Sequence, residues 1–184
     1  MILTLSVSIN HRVDGAIKQA QQLRLKIVPP VYTDWTKTKS VIATQVLLKR
    51  IPDIDFMWTA GPVIADGAIE LLSRANSDIV VGSFNWSQSN IEHIKSGRLA
   101  MSFGGHSMEA GWATIMIYDY LHGLDFLDDT GSMITTNLEI LNSENVSQIA
   151  PLILEEKWQT IDFSQRAKCI NNTLKSYAFS LHQR

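Results

Sequence analysis

The chain has 184 residues, of which 45% are hydrophobic and 18% are charged, and its formal net charge is −2. This composition suffices for one domain with a buried core and is unlike that of a disordered chain. The chain has no basic run and no apolar run near the roughly 20 residues that span a bilayer, so nucleic-acid binding and membrane insertion are both disfavoured.

Strands and helices alternate in the predicted structure of the first hundred residues. Residues 2–9 alternate Ile, Leu and Val with Thr and Ser, which is strand spacing rather than the pattern of a signal peptide. Asn10 can cap a helix, and a short strand at 25–28 is expected to end at Pro29-Pro30. Further strands are predicted at 54–60 and 78–84, and further helices at 39–50, from Pro62 and at 87–97.

The pattern changes after Leu99. A strand at 99–103 precedes a helix at 108–122 that is apolar nearly all round, and such a helix must be covered on more than one side. An acidic loop, an alternating strand at 132–141, a helix from Ser143 and a polar tail complete the predicted elements.

This order of elements predicts an α/β, Rossmann-like fold, with a parallel sheet and helices on both faces. The carboxyl ends of such strands meet at one edge, where small ligands bind. Four segments are expected to meet there: 11–16, 54–68, 78–86 and 97–111. None of them contains an obvious nucleophile, acid pair or metal cluster. The sequence therefore favours binding, without a cofactor or a metal, over catalysis.

Four motifs together resemble a known family. They are Arg12-Val-Asp-Gly15, Ala65-Asp-Gly67-Ala68, Val80-Val81-Gly82-Ser83-Phe84, and Gly97-Arg-Leu99 followed by Gly111. In this order and spacing they resemble the second half of a type I periplasmic binding protein, a sugar-binding fold that lac-repressor-type regulators also use. The resemblance covers roughly residues 1–145.

The resemblance implies one lobe of a two-lobed protein. Residues 1–100 would form the second ligand-binding lobe, 101–124 a crossover strand and helix that belong to a missing first lobe, and 125–145 the return segment. Residues 146–184 would form a C-terminal helical tail. We therefore expect a truncated fragment, and we expect it to self-associate through the surface that the missing lobe leaves bare.

The implied function is that of a solute-binding protein, serving an ABC-type transporter or a sensory membrane protein. Its ligand would be a small polar solute such as a sugar, and the full-length family member would be periplasmic, although this chain carries no signal peptide. Three departures from sugar binders stand out: Gly61-Pro62 replaces Asn-Asp, Phe84-Asn85 replaces an Asp, and Gly105 replaces a Gln. The usual acceptors for sugar hydroxyls are thus partly missing.

Two polar residues are candidate ligand contacts. Arg12 would donate a forked set of hydrogen bonds to a ligand oxygen or carboxylate; alternatively, it pairs with Asp14. Asn85 would bond a hydroxyl or an amide, or else form an Asx turn that caps the following helix.

Three further candidates follow the next strand ends. His106 comes after two glycines that allow close approach of the backbone to a ligand, or it is only a helix-start histidine. Trp86 would stack on a ring or pack in the core, and Gly61 is placed by the resemblance. His93 and His122 lie on helices without a shared face, which argues against a metal site.

Two other functions stay open at this point. An effector lobe of a lac-repressor-type regulator would share the fold, but no helix-turn-helix or basic patch supports it. A small flavodoxin-like enzyme would need a phosphate loop after the first strand, and the sequence SINHRVDG makes a poor one.

Overall fold

The computed structural model describes residues 2–5, 10–134, 136, 138–154 and 157–179. Its strands are β1 (Ile2–Leu5), β2 (Val28–Tyr32), β3 (Phe56–Thr59), β4 (Val80–Phe84), β5 (Met101–Gly104) and β6 (Glu139–Asn142). Its helices are α1 (Asn10–Gln22), α2 (Lys37–Arg50), α3 (Pro62–Arg74), α4 (Gln88–Lys95), α5 (Glu109–Leu121), α6 (Leu127–Thr130) and α7 (Val146–Leu154). Short 3-10 turns occupy His106–Met108, Lys157–Thr160 and Phe163–Arg166.

The strands form one sheet in the order β2-β1-β3-β4-β5-β6. The first five strands are parallel and β6 runs antiparallel to β5. The step from β1 to β2 goes one way along the sheet and the later steps go the other way. Right-handed crossovers therefore place α1 on one face and α2, α3 and α4 on the opposite face. The predicted α/β fold is confirmed.

Two apolar layers cover the middle of the sheet. On one face, Val13 of α1 shares a buried cluster with Trp58 of β3. On the other face, residues of α3, α4 and α7 enclose the buried side chains of Val81 and Leu141. Local signals fix the helix starts: Thr36 and Ser87 cap α2 and α4 with their hydroxyl oxygens, as short polar side chains do.

Strand β2 corrects the sequence prediction. The prolines Pro29 and Pro30 lie inside β2 instead of ending a strand at 25–28. Since β2 is an edge strand that pairs only with β1, the missing proline N–H groups cost no sheet hydrogen bond on the open side. The register shifts between Ile2 and Thr4, opposite the proline pair.

The strand predicted at 132–141 is also corrected. Only Glu139–Asn142 forms β6, and the described residues of 132–138 lie outside any strand. Its partner β5 is four residues long, so the ladder ends after four pairs. β5 itself is an internal strand of this sheet, bonded to β4 and β6.

The C-terminal part is less helical than predicted. The helix expected from Ser143 begins at Val146, because the side chains of Asn142 and Asn145 hydrogen-bond to the turn before it. After α7, the described tail forms two 3-10 turns and an irregular segment. Residues 6–9 of the predicted first strand and residues 180–184 of the tail lie outside the described residues.

Candidate functional site

The site lies at the carboxyl edge of the sheet. Residues that follow β3, β4 and β5 meet there with the start of α1, which packs on the face of the sheet that carries Phe84. This is the edge at which parallel α/β folds bind small molecules.

Arg12 contributes a positive charge to this edge. Its guanidinium carbon lies 3.8 Å from the centroid of the Phe84 ring, and its Nη1 lies 3.5 Å from the carbonyl oxygen of Ala60. Among the described residues, no carboxylate lies within 4.0 Å of the guanidinium, so the alternative ion pair with Asp14 does not form. Partial burial lowers the pKa of Arg12 because desolvation disfavours the charged form.

Asn85 lies at the end of β4 in the left-handed region, with φ of +69°. Its backbone carbonyl accepts hydrogen bonds from Ser102 Oγ at 2.6 Å and Asn90 Nδ2 at 2.9 Å. Its side-chain oxygen Oδ1 is buried and has no hydrogen-bond partner. Because Ser87 caps α4, the alternative role of Asn85 as a helix cap is wrong.

His106 lies close to Phe84, the residue whose ring Arg12 also contacts. It opens a 3-10 turn immediately after Gly105, whose φ of +98° suits only glycine without strain. The rings of Phe84 and His106 lie 6.3 Å apart. The Nδ1 atom of His106 is buried without a hydrogen-bond partner.

Trp86 packs on the end of β5 instead of facing Arg12. Its indole N–H donates to the Ser102 carbonyl oxygen at 3.2 Å, and a Cβ on Gly104 would meet its ring at 2.4 Å. Phe103 pairs with Phe84 and therefore shares its face, whereas Gly104 points to the opposite face. Trp86 thus lies across the sheet from the Arg12 contact.

Gly61 accommodates an aromatic ring that sequence analysis did not select as a site residue. A Cβ on Gly61 would lie 2.3 Å from the ring of Trp35, so only glycine permits this contact. Trp35 and Phe84 pack against the same buried cluster, which includes Ala60. Trp35 follows the edge strand β2 and precedes the cap of α2. This position after a strand end is the sequence signal that could have marked Trp35 as a site residue.

The structure therefore brings Arg12, Gly61, Asn85 and His106 to one edge and adds Trp35 to them. Within the described ranges, no group of three or more His, Cys, Asp or Glu side chains is arranged to hold a metal ion. His93 pairs instead with Asp66, at 3.0 Å between Nε2 and Oδ1.

Solved structures identify the fold. A periplasmic sugar-binding protein from Pseudomonas fluorescens superposes with a TM-score of 0.83 at 20% identity, over 97% of this chain and 57% of that one. The chain has the fold of a type I periplasmic binding protein. A periplasmic ribose ABC transporter protein from Conexibacter woesei DSM 14684 also has this fold, with a TM-score of 0.71, 19% identity, and coverage of 85% and 55%.

One curated relative is similar in sequence. The ribose import binding protein RbsB of Bacillus subtilis (strain 168) is 28% identical over 101 residues, which are 54% of this chain and 33% of that protein. No family model matches the chain. The chain spans a third of the length of this relative and little more than half of the length of these structural neighbours.

Proposed function

We propose that the chain is the second lobe of a solute-binding protein that holds a small polar solute at the carboxyl edge of its sheet. The charged guanidinium of Arg12, which lies on Phe84 with no carboxylate partner among the described residues, carries this proposal. The similar proteins are named for ribose and other sugars, and one solved neighbour contains bound D-allose. A sugar or a related solute is therefore the first class to test.

Each site residue has a distinct role in this proposal. Arg12 donates in-plane hydrogen bonds to a ligand oxygen, and the buried Oδ1 of Asn85 accepts one. His106 donates or accepts through its imidazole. Trp35 and Phe84 supply flat apolar surface for the carbon face of a ring. The first lobe would close over the solute and exclude water, as expected of a site at a domain interface.

Helix α5 supports a position for the first lobe. One face of α5 packs under the tail through Trp112 and Ile115. The opposite face leaves Ile117 and Leu121 exposed by 58% and 75%. An apolar helix face of this kind is suited to an interface with another domain. We assign it to the first lobe, and to self-association where that lobe is absent.

The named neighbours are solute-binding proteins, so neither a regulator lobe nor a flavodoxin-like enzyme is favoured. As in those relatives, we place the full-length protein in the periplasm, where it delivers solute to an ABC-type transporter or a sensory partner. Of the helices that the structure describes, none has the length and apolar character needed to cross a bilayer.

Equilibrium dialysis against D-ribose, D-allose, L-arabinose, D-glucose and D-galactose tests the proposal. At least one sugar should bind, and Arg12→Ala should weaken its binding at least tenfold. The substitution should reduce the free energy of unfolding by only about 1–2 kcal/mol, since a partly buried contact between a cation and a ring is worth no more. Arg98→Ala, three residues beyond the C-terminal end of α4, is the control and should bind normally. Equal weakening by both variants would refute the site.

A further inference from the structure

The charge balance of the site indicates the class of solute. We infer that the solute carries an anionic group, with a carboxylate-bearing sugar such as a uronate as the model ligand. This inference rests on the proposed function and narrows its ligand. It is carried by the surroundings of Arg12 and by the acidic side chains near the edge.

Arg12 is partly desolvated, and no carboxylate of the described residues lies within 4.0 Å of its guanidinium. Its neighbours are the neutral ring of Phe84 and the backbone carbonyl of Ala60. The carbonyl contact, at 3.5 Å, is at the long limit for a hydrogen bond and uses one of five N–H groups. A guanidinium so placed gains most from a bidentate carboxylate, whose two oxygens match its fork.

Three acidic side chains from segments around the edge are already engaged or point elsewhere. Asp34 pairs with Lys39, and Asp66 pairs with His93. Glu139 is paired with Gly104, so its side chain shares the face opposite to Phe84 and Arg12.

A neutral sugar needs a different set of hydrogen-bonding groups from its site. Each sugar hydroxyl donates a hydrogen, and a site for a neutral sugar must supply acceptors for these donors. Of the candidate residues, Asn85 offers its buried Oδ1 as an acceptor, and a carboxylate stands neither at Gly61 nor at Phe84. His106, the other polar candidate next to Phe84, can donate a hydrogen bond to an anion. The edge is therefore better suited to a negatively charged group than to hydroxyls alone.

Matched sugar pairs test the inference on the chain itself. We would titrate the isotope-labelled chain with D-glucuronate and D-glucose, and with D-galacturonate and D-galactose, and follow backbone amide resonances. Each pair differs at C6, where a carboxylate replaces a hydroxymethyl group. The uronate should shift the amides of Gly61, Asn85 and His106 at concentrations at least tenfold lower than its neutral partner.

Variants of Arg12 distinguish the effect of the forked guanidinium geometry from the effect of a positive charge alone. Arg12→Gln should abolish the preference for the uronate, Arg12→Lys should retain part of it, and Arg98→Gln should leave it unchanged. If the neutral sugar shifts the same amides as strongly as the uronate, the inference is wrong and the proposed function stands. If neither sugar perturbs the edge, both are wrong. If sodium acetate alone reproduces the full effect, the edge attracts anions without selecting a sugar acid, and the inference is again wrong.

Discussion

At the scale of single residues, two aromatic rings near the carboxyl edge make close contacts that only glycine permits. Trp35 lies on Gly61 in the space that a methyl group would need. Trp86 occupies the equivalent space beside Gly104. These two glycines therefore fix the positions of aromatic rings on either side of the sheet edge.

Alanine substitution at Gly61 tests this contact. We expect Gly61→Ala to destabilise the chain by about 1–3 kcal/mol, since the Trp35 ring must move from a packed position. Urea unfolding measures the change. The control is Gly15→Ala in α1, where a Cβ meets nothing within 4 Å and alanine should stabilise by about 0.5–1 kcal/mol. If Gly61→Ala leaves the free energy of unfolding unchanged, Trp35 does not rest on this residue.

At the scale of elements, a buried carboxylate ties the tail to α5. Asp119 is fully buried and accepts hydrogen bonds from the Lys168 and Cys169 backbone amides at 2.8 and 2.9 Å and from the Tyr177 hydroxyl at 2.8 Å. Burial alone would raise the pKa of Asp119, but these hydrogen bonds outweigh it and the pKa lies below its ordinary value. Burial and the bond to Asp119 raise the pKa of Tyr177.

Replacing Asp119 should loosen the tail. A carboxylate whose pKa is lower in the folded chain contributes stability at neutral pH, and this contribution is lost as pH falls below about 4. We expect Asp119→Asn to cost about 2–4 kcal/mol at pH 7, because its amide N–H₂ faces donors, and to flatten the loss of stability in acid. Unfolding at pH 7 and pH 3 measures both effects. Asp128→Asn, an exposed carboxylate on α6, should change neither. Equal acid sensitivity of Asp119→Asn and the unsubstituted chain would contradict this account.

The elements also show what sequence can and cannot predict. The helix starts at Pro62 and Ser87 and the strands β3 and β4 follow the sequence prediction, whereas α2, capped by Thr36, begins two residues before the helix predicted at 39–50. The course of β2 through two prolines depends on its edge position, and the length of β6 depends on its partner. Likewise, motif position selected Arg12, but its contact with Phe84 joins residues 72 positions apart and depends on the assembled sheet.

At the scale of the whole molecule, the face of α5 opposite the tail exposes neighbouring apolar side chains. Ile117 and Leu121 lie one turn apart on that face, and Tyr120 beside them is also exposed by 57%. Each large side chain gains about 1.5–3 kcal/mol on burial, so the face favours contact with another apolar surface.

Charges on this face should suppress association. We expect the chain to form reversible dimers or larger species in sedimentation velocity, and Ile117→Glu with Leu121→Glu to shift it to monomer. Ile42→Glu, an exposed apolar position on α2, is the matched control and should leave association unchanged. A chain that stays monomeric at high concentration, without binding a dye for exposed apolar surface, would contradict the assignment of this face to another domain.

The central claim is that solute binds at the carboxyl edge of the sheet, and an amide map of the chain saturated with its best-binding sugar tests it most directly. The account predicts shifts that concentrate at Gly61, Asn85, Gly105 and His106 and decline with distance from Arg12. Shifts concentrated at Ser89 and His93, in the groove between α3 and α4, would contradict it, because they would place the solute outside the edge that Arg12 defines.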